Sequence, residues 1–265
     1  MVLSPEYNKL VVNILDAFIL GLVQGLAEFI PVSSSGHLIL FNELFNLHSS
    51  FHFDLILNIG TLLAGFLYFR HDIYEIITKY KTNSMYKLLM IATIPAVLFG
   101  AIFKATLSGD GVRSVAVVTT MLLIIGVLFI AESALQNGSK KINSLNSSGA
   151  LGIGFAQALA LIPGTSRSGS TILAGRFLGL SREDAARFSF LLSLPIIGGA
   201  VLFSLLTDPI NLQSIGTSNI AIGILTSFTS SLLAIHFMLR FLKKHGLRVF
   251  GIYRVVLAGV LLFVL

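Results

Sequence analysis

A cluster of polar residues interrupts a long apolar stretch near the start of the chain. The segment AEFIPVSSSGHLIL, residues 27–40, places Glu28, Pro31, three consecutive serines and His37 within ten positions. A carboxylate can bind a metal ion or accept a proton, a hydroxyl can act as a nucleophile, and a histidine transfers protons near neutral pH. These residue types indicate a catalytic or ligand-binding site.

A second cluster, PGTSRSGST at residues 163–171, adds a permanent cation. Arg167 presents a planar fork of N–H donors that suits a phosphate or a carboxylate. Gly164 and Gly169 would let a ligand approach the backbone closely. Hydroxyl groups surround the arginine, on Thr165, Ser166, Ser168, Ser170 and Thr171. This segment predicts an anion-binding site.

The first cluster should lie where one helix ends and another begins. Gln24 precedes Glu28 by four residues, so both side chains lie on one helix face. Pro31 breaks that helix. The serines then lead into a second helix that begins near Gly36 or His37. The first N–H groups of such a helix, together with flanking hydroxyls, can bind an anion.

Each of these features also has a purely structural interpretation. Glu28 could be a neutral or hydrogen-bonded brace in the helix bundle, and Arg167 could pair with Glu28 alone. The Ser-Gly pairs could simply cap helices, and an isolated histidine in a membrane is more often a packing residue than a catalyst. Recurrence of the same residue types in both clusters favours a site for a phosphate-like anion.

Composition predicts the surroundings of the two clusters. The 265 residues are 55% hydrophobic and 11% charged, with a mean hydropathy of +0.89, and apolar runs long enough to cross a bilayer recur. We therefore predict an all-α polytopic membrane protein. The net charge of +6 is interpreted as a determinant of membrane topology, not as a nucleic-acid surface. The first ten residues lack the features of a signal peptide.

Six segments are predicted to be full crossings, and two more are apolar but interrupted. The crossings lie at about 53–70, 84–104, 113–135, 186–206, 218–240 and 247–265. The interrupted segments lie at about 11–47 and 149–183. Residues 21–40 and 154–173 align at an offset of 133, with nine identities in twenty positions. This similarity predicts that the single membrane domain, 1–265, consists of two repeats, about 11–135 and 149–265.

The repeats should have opposite orientations in the membrane, because each interrupted segment is followed by three crossings. Placing the loop at 70–87 in the cytoplasm puts thirteen Lys and Arg residues on that side and three on the other. Both termini then lie outside, and the interrupted segments become re-entrant helix pairs whose tips meet at membrane depth. Asp54 and Glu132, near crossing ends, are expected to be solvated or to cap helices.

The two clusters resemble the motifs of the undecaprenyl-diphosphatase family, the bacitracin-resistance type of integral membrane phosphatase. That family carries an (E/Q)xxxE motif, a PVSS[ST]GH tip and a PGxSRS tip. The matching segments are QGLAE at 24–28, PVSSSGH at 31–37 and PGTSRS at 163–168. Two separate motifs in the right order make the resemblance specific. Gln24 stands where many members have Glu, which weakens a two-carboxylate metal site.

The resemblance implies hydrolysis of undecaprenyl diphosphate to the monophosphate carrier lipid and inorganic phosphate. The expected place is the outer face of the bacterial cytoplasmic membrane, where the lipid is recycled for cell-wall synthesis. A divalent cation, Mg²⁺ or Ca²⁺, is expected, with Glu28 and Gln24 as its ligands. The expected partners are the lipid substrate, membrane lipids and a second copy of the chain in a homodimer.

Residue roles follow as hypotheses from the same resemblance. Ser34 is the candidate nucleophile with His37 as its base, although His37 could instead be the nucleophile or activate water. Glu28 would orient a metal ion or a water, and Arg167 would hold the phosphates. The remaining expected substrate contacts are Gln24, Ser33, Ser35, Gly164, Thr165, Ser166, Ser168 and Thr171. A lipid-phosphate flippase is the main alternative, and an intramembrane serine protease ranks well below both.

Overall fold

Helices form the fold throughout the residues that the computed structural model describes, which are 12–45, 51–103, 111–134, 138–207 and 215–264. We number the α-helices in chain order. They are α1 (Ile14–Phe29), α2 (Ser34–Phe45), α3 (Phe51–Tyr68), α4 (Arg70–Thr78), α5 (Ser84–Ile102), α6 (Val115–Glu132), α7 (Ser147–Leu159), α8 (Arg167–Phe177), α9 (Arg182–Thr207), α10 (Thr217–Leu242) and α11 (Arg248–Val264).

Four helices are long and apolar enough to cross a membrane: α5, α6, α9 and α10. Helices α3 and α4, bent by 74° at their junction, make a fifth candidate if they form one broken span. This result confirms the prediction of an all-helical, multi-pass membrane protein. The predicted crossing at 247–265 corresponds to α11, and residue 265 lies outside the described residues. The arrangement of six crossings and two re-entrant pairs stays a prediction.

Both interrupted segments form two helices separated by a short break. In the first, Asn13 caps α1 by accepting from the Asp16 N–H at 2.9 Å, and the helix ends ahead of Pro31. The predicted ends of this segment, at residue 11 and at 46–47, lie outside the described residues. In the second, Asn146 caps α7 by accepting from the Gly149 N–H at 2.9 Å. The two helices of each segment pack against each other.

The principal helix contacts join the two halves of the chain. Helix α1 packs on α10, α7 packs on α5, and α6 packs on α11. The contact of α1 with α10 is close because Gly25 lies against the backbone of the facing helix. A Cβ on Gly25 would lie 2.4 Å from the Ser227 carbonyl oxygen. Small residues permit such close approach between membrane helices. This packing fixes the helix that carries Glu28.

The expectation that Glu132 and Asp54 are solvated is wrong, whereas the alternative that they cap helices holds for Glu132, whose Oε2 accepts from the Leu247 N–H at 3.3 Å just before α11. Glu132 is completely buried at the end of α6, where its Oε1 accepts from Arg176 Nε at 2.7 Å. Asp54 is 8% exposed and pairs with Arg113, with 3.0 Å between Oδ2 and Nη2. Both cations come from distant parts of the chain. Position near a helix end could not reveal these long-range ion pairs.

Candidate functional site

Glu28 is the centre of a hydrogen-bond network at the end of α1. Its Oε2 accepts from the Ser34 hydroxyl at 2.6 Å and from the Gln24 Nε2 at 2.9 Å. The side chain is 8% exposed. Because Gln24 lies one turn earlier and Ser34 starts the next helix, the break between α1 and α2 brings all three together. A carboxylate that accepts the proton of a hydroxyl can activate that hydroxyl as a nucleophile.

Arg167 connects the second cluster to this network. Its Nη2 donates to Glu28 Oε1 at 2.8 Å, and its Nη1 donates to the Ser189 carbonyl oxygen at 3.2 Å. Arg167 is the first residue of α8, so its cation lies at the N-terminus of a helix. Charge-assisted hydrogen bonds of this kind are among the stronger contacts in proteins. The ion pair brings the two predicted tips together at one site.

The two tips share an uncommon backbone conformation. Ser33 and Ser166, which align at the offset of 133, have φ angles of 81° and 73°. Left-handed backbone is unfavourable for residues with a Cβ. Each serine nevertheless receives a hydrogen bond on its Oγ from the helix that follows, from the Gly36 N–H at 3.3 Å and the Gly169 N–H at 3.2 Å. The same local geometry therefore begins α2 and α8.

The structure places His37 away from Ser34. Its Nδ1 lies 2.8 Å from the Ser33 carbonyl oxygen, and its Nε2 lies 2.7 Å from the Tyr253 hydroxyl. A carbonyl oxygen can only accept, so Nδ1 carries the proton in this contact. In the neutral ring Nε2 then accepts from Tyr253. The predicted pairing of His37 with the Ser34 hydroxyl is not formed in this structure, where that hydroxyl donates to Glu28.

Most of the other residues predicted to contact the substrate are buried inside the two tips and stabilise them. Gly164 has a φ of 91°, and a Cβ there would lie 2.7 Å from the Val118 carbonyl oxygen, so only glycine fits without strain. Thr171 is 1% exposed and its hydroxyl lies 2.6 Å from the Ser189 hydroxyl. The other buried members are Ser33, Thr165, Ser166 and Ser168, whereas Ser35 is half-buried. Their roles toward a substrate stay predictions.

Arg254 is a site residue to which the sequence analysis assigned no role. It is completely buried in α11 and donates to carbonyl oxygens of both tips. The acceptors are Pro31 at 3.3 Å, Gly164 at 2.5 Å and Thr165 at 3.3 Å. Its guanidinium also lies over the ring of Phe129, 5.3 Å from the centroid. The only signal in the sequence was an arginine within an apolar crossing.

Asn58 is the second residue that sequence reasoning missed. Its Oδ1 accepts from Gln24 Nε2 at 2.9 Å, so α3 contributes an amide to the network. A cavity of about 170 Å³ opens beside these groups. Its polar lining consists of Glu28, Asn58, Gln157 and Arg167. Its apolar lining consists of Leu55, Ala96, Ala160, Leu161, Ile196, Ile197, Ala200 and Val201.

The oxygen ligands beside the cavity fit a hard divalent cation only in part. Mg²⁺ and Ca²⁺ prefer carboxylate, amide and phosphate oxygens, and Mg²⁺ is often held by one or two carboxylates plus the phosphates of a substrate. Glu28 offers a carboxylate, and Gln24 and Asn58 offer amide oxygens. Within the described ranges, no group of three or more His, Cys, Asp or Glu side chains could hold a metal ion. A cation here would therefore need ligands from the substrate.

Comparison with known proteins identifies the family of this chain. A family model described as bacitracin resistance protein BacA matches residues 17–260. An undecaprenyl-diphosphatase from Saccharophagus degradans is 42% identical over 261 residues, covering 93% of this chain and 96% of that protein. Another, from Marinobacter nauticus, is 40% identical over 271 residues, covering 96% and 99%. The chain therefore belongs to the family of the bacitracin resistance protein BacA.

Proposed function

We propose that this protein hydrolyses undecaprenyl diphosphate to undecaprenyl phosphate and inorganic phosphate. The carrier lipid is thereby returned to cell-wall synthesis, and its recycling confers resistance to bacitracin. The observation that carries the proposal is the contiguous array of Ser34, Glu28 and Arg167, in which a hydroxyl, a carboxylate and a cation from two distant segments meet beside a cavity. The relatives named undecaprenyl-diphosphatase match this chain along nearly its whole length.

Ser34 is the nucleophile in this proposal. Its Oγ attacks the terminal phosphorus while Glu28, 2.6 Å away, takes the hydroxyl proton. The bond from phosphorus to the bridging oxygen breaks, and undecaprenyl phosphate leaves and receives the proton from Glu28. Water then attacks the phosphoserine and gives a proton to Glu28, the bond from phosphorus to Ser34 Oγ breaks, Ser34 takes the proton back from Glu28, and inorganic phosphate is released. His37, held by Ser33 and Tyr253, positions the start of α2 instead of serving as the base.

Arg167 stabilises the charge that builds on the phosphoryl oxygens. Two of its five N–H donors contact Glu28 and Ser189 within the described residues. The remaining donors can bind phosphate oxygens, and the N-termini of α2 and α8 add favourable dipoles. Phosphoryl transfer depends mainly on such positioning and charge stabilisation. The apolar walls from α5 and α9 keep water away from these contacts.

A divalent cation, Mg²⁺ or Ca²⁺, is part of the proposal. Glu28, Gln24 and Asn58 would hold it together with oxygens of the diphosphate, and when bound it neutralises phosphate charge. The purified protein should lose activity in EDTA and regain it when Mg²⁺ or Ca²⁺ is added. Undiminished phosphate release after exhaustive chelation would remove the cation from the proposal.

The membrane arrangement completes the proposal. Six crossings and two re-entrant pairs, in two oppositely oriented repeats, would place the site between the tips and open it to the outer face of the cytoplasmic membrane. The shared conformation of Ser33 and Ser166 and the packing of α1 on α10 and α7 on α5 support this repeat. Both termini would lie outside. The lipid tail would remain in the bilayer while the diphosphate enters the cavity.

Release of phosphate from undecaprenyl diphosphate by the purified protein in detergent tests the function. Wild type should release phosphate, whereas Ser34→Ala and Glu28→Gln should lose at least about 1,000-fold, because the nucleophile or its base is removed. Ser144→Ala is the matched control and should retain full activity, because this exposed serine hydroxyl bonds, within the described residues, only to the Lys141 carbonyl oxygen. A well-folded wild type that releases no phosphate would overturn the proposal.

Transport of the lipid phosphate is a second candidate function. The matching Ser33 and Ser166 conformations in the two halves favour it, since inverted repeats with broken helices are typical of transporters. Transport needs no nucleophile. Ser34→Ala protein in liposomes should therefore still move a labelled lipid phosphate between leaflets if this candidate is correct. Loss of both activities in that variant, or no movement by wild type, would reject transport.

A further inference from the structure

Gln157 is a polar residue of the cavity that the proposed chemistry does not use. It lies in the last turn of α7 and lines the same cavity as Glu28 and Arg167. At the offset of 133 it occupies the position that Gln24 has in the first repeat. Gln24 donates its amide hydrogens to Glu28 and Asn58. The second repeat therefore presents an amide to the cavity from the opposite half of the molecule.

The orientation of the Gln157 amide is fixed by its one hydrogen-bond partner among the described residues. Nε2 donates to the Ala92 carbonyl oxygen at 3.2 Å. Because a carbonyl oxygen can only accept, the NH₂ group must face Ala92 and the amide oxygen must face away. Gly154 holds α7 close to this part of α5, since a Cβ there would lie 2.6 Å from the same carbonyl oxygen. The position of the amide is thus set by backbone packing.

The Gln157 amide oxygen is a buried acceptor without a partner. The side chain is 2% exposed, and Oε1 has no hydrogen bond within the described part of the chain. Buried polar atoms are nearly always paired in native proteins, and leaving an acceptor unpaired is unfavourable. Gln157 lines the cavity, but less than 1 Å² of this oxygen is accessible, so a molecule bound there can pair with it only after a small movement of the cavity wall.

The residues that line the cavity limit which chemical groups the bound molecule can present to this oxygen. Arg167 supplies N–H donors for anionic oxygens, and Glu28 carries the only carboxylate among the lining residues described. An amide oxygen repels an unprotonated phosphate oxygen and attracts a hydroxyl hydrogen. A monoprotonated terminal phosphate presents one P–OH group together with anionic oxygens. Such a group matches a wall with one cation and one unpaired acceptor, since among the described lining residues the oxygens of Glu28 and Asn58 already accept hydrogen bonds.

We propose that Gln157 Oε1 accepts the hydrogen bond of the P–OH group on the bound phosphate and thereby selects protonated phosphate over fully deprotonated anions. This assignment rests on the proposed function and names the form of the terminal phosphate that the site takes. It makes Gln157 a specificity-determining residue. The Gln157 amide oxygen should accept this hydrogen bond both from the diphosphate substrate and from the inorganic phosphate that is released.

Binding of inorganic phosphate and of sulfate to the purified protein, measured by calorimetry at mildly alkaline pH, tests this assignment. Both probes are then mainly dianions of similar shape, but only phosphate carries a hydroxyl. Wild type should bind phosphate at least about tenfold more tightly than sulfate. In Gln157→Leu the ratio should fall to near one, because phosphate binding weakens while sulfate binding does not. Gln157→Met gives the same test if the Leu variant does not fold.

The matched control is Thr93→Val, which removes a hydrogen bond to the Leu89 carbonyl oxygen on α5, one residue from Ala92 and outside the cavity lining. It should keep the wild-type ratio. An unchanged ratio in both Gln157 variants, or a wild type that binds the two anions equally, would overturn the assignment. Release of phosphate from undecaprenyl diphosphate is measured on the same preparations. Its absence would reject the proposed function, whereas the anion ratio tests Gln157 independently.

Discussion

At the scale of single residues, Glu28 is the point where the two halves of the site converge. Its two oxygens accept from Gln24, Ser34 and Arg167, and the last of these lies 139 positions along the chain. A carboxylate in an apolar bundle needs such partners to remain charged. The same contacts that stabilise the charge also place it beside a hydroxyl. The hydrogen bonds that stabilise the Glu28 carboxylate in the helix bundle therefore also position it beside the Ser34 hydroxyl.

Among single-residue changes, Arg167→Lys gives the most specific test of the guanidinium group. A lysine keeps the positive charge and can still pair with Glu28 Oε1, but it loses the planar fork that reaches Ser189 and the phosphate together. Phosphate release should fall by about 100-fold while the variant remains folded. Turnover near that of wild type would show that a point charge is sufficient and would contradict the role assigned to the fork.

The sequence predicted the members of the candidate site better than their hydrogen-bond partners. Glu28 and Arg167 were identified from residue type and spacing and Ser34 from the family resemblance, and the structure brings the three into contact. The pairing of His37 with Ser34 is not formed, because the Ser34 hydroxyl donates to Glu28 and the two ring nitrogens of His37 contact Ser33 and Tyr253. Tyr253 comes from the far end of the chain. Local spacing carries no information about such a partner.

At the scale of helices, Arg254 holds the two tips together from α11. Its guanidinium donates to carbonyl oxygens of Pro31, Gly164 and Thr165. Arg254→Met would keep much of the volume but leave these acceptors unpaired, at a cost of about 3 kcal/mol. We expect thermal unfolding in detergent to occur roughly 6–12 °C lower than in wild type. An unchanged melting temperature would show that the tips do not depend on Arg254.

The contact of α1 with α10 gives a second prediction for helices. In Gly25→Ala the new methyl group would lie 2.4 Å from the Ser227 carbonyl oxygen, so α1 must shift and carry Glu28 with it. Both the melting temperature and phosphate release should decrease. Gly152→Ala is the control, because Gly152 is a helical glycine with nothing within 4 Å of the added methyl group. Equal behaviour of the two variants would contradict the close packing.

For the whole molecule, membrane topology can be measured by thiol labelling without background, because the sequence contains no cysteine. Single-cysteine variants Thr82→Cys and Gly111→Cys place one thiol in each of two loops that the predicted topology assigns to opposite sides. A membrane-impermeant maleimide added to intact cells should label the second and not the first. Labelling of both from the same side would contradict the predicted orientation of the crossings.

The parts of the architecture that depend on hydropathy could be predicted from the sequence. The four longest crossings and both broken segments were located from apolar runs and from Pro, Gly and Ser clusters, and the structure forms helices there. The bend of 74° between α3 and α4 and the buried pair of Glu132 with Arg176 were not predicted. Both depend on which helices become neighbours, and that follows from packing between the halves of the chain.

We propose that Glu28 and Arg167, from two distant segments, act as one catalytic unit. Phosphate release from undecaprenyl diphosphate by Glu28→Gln, Arg167→Lys and the double variant measures the coupling between them. Residues that act as a unit are strongly non-additive. The double variant should therefore be no slower than the slower of the two single variants, within about threefold. Losses that multiply in the double variant would show two independent contributions and contradict the claim.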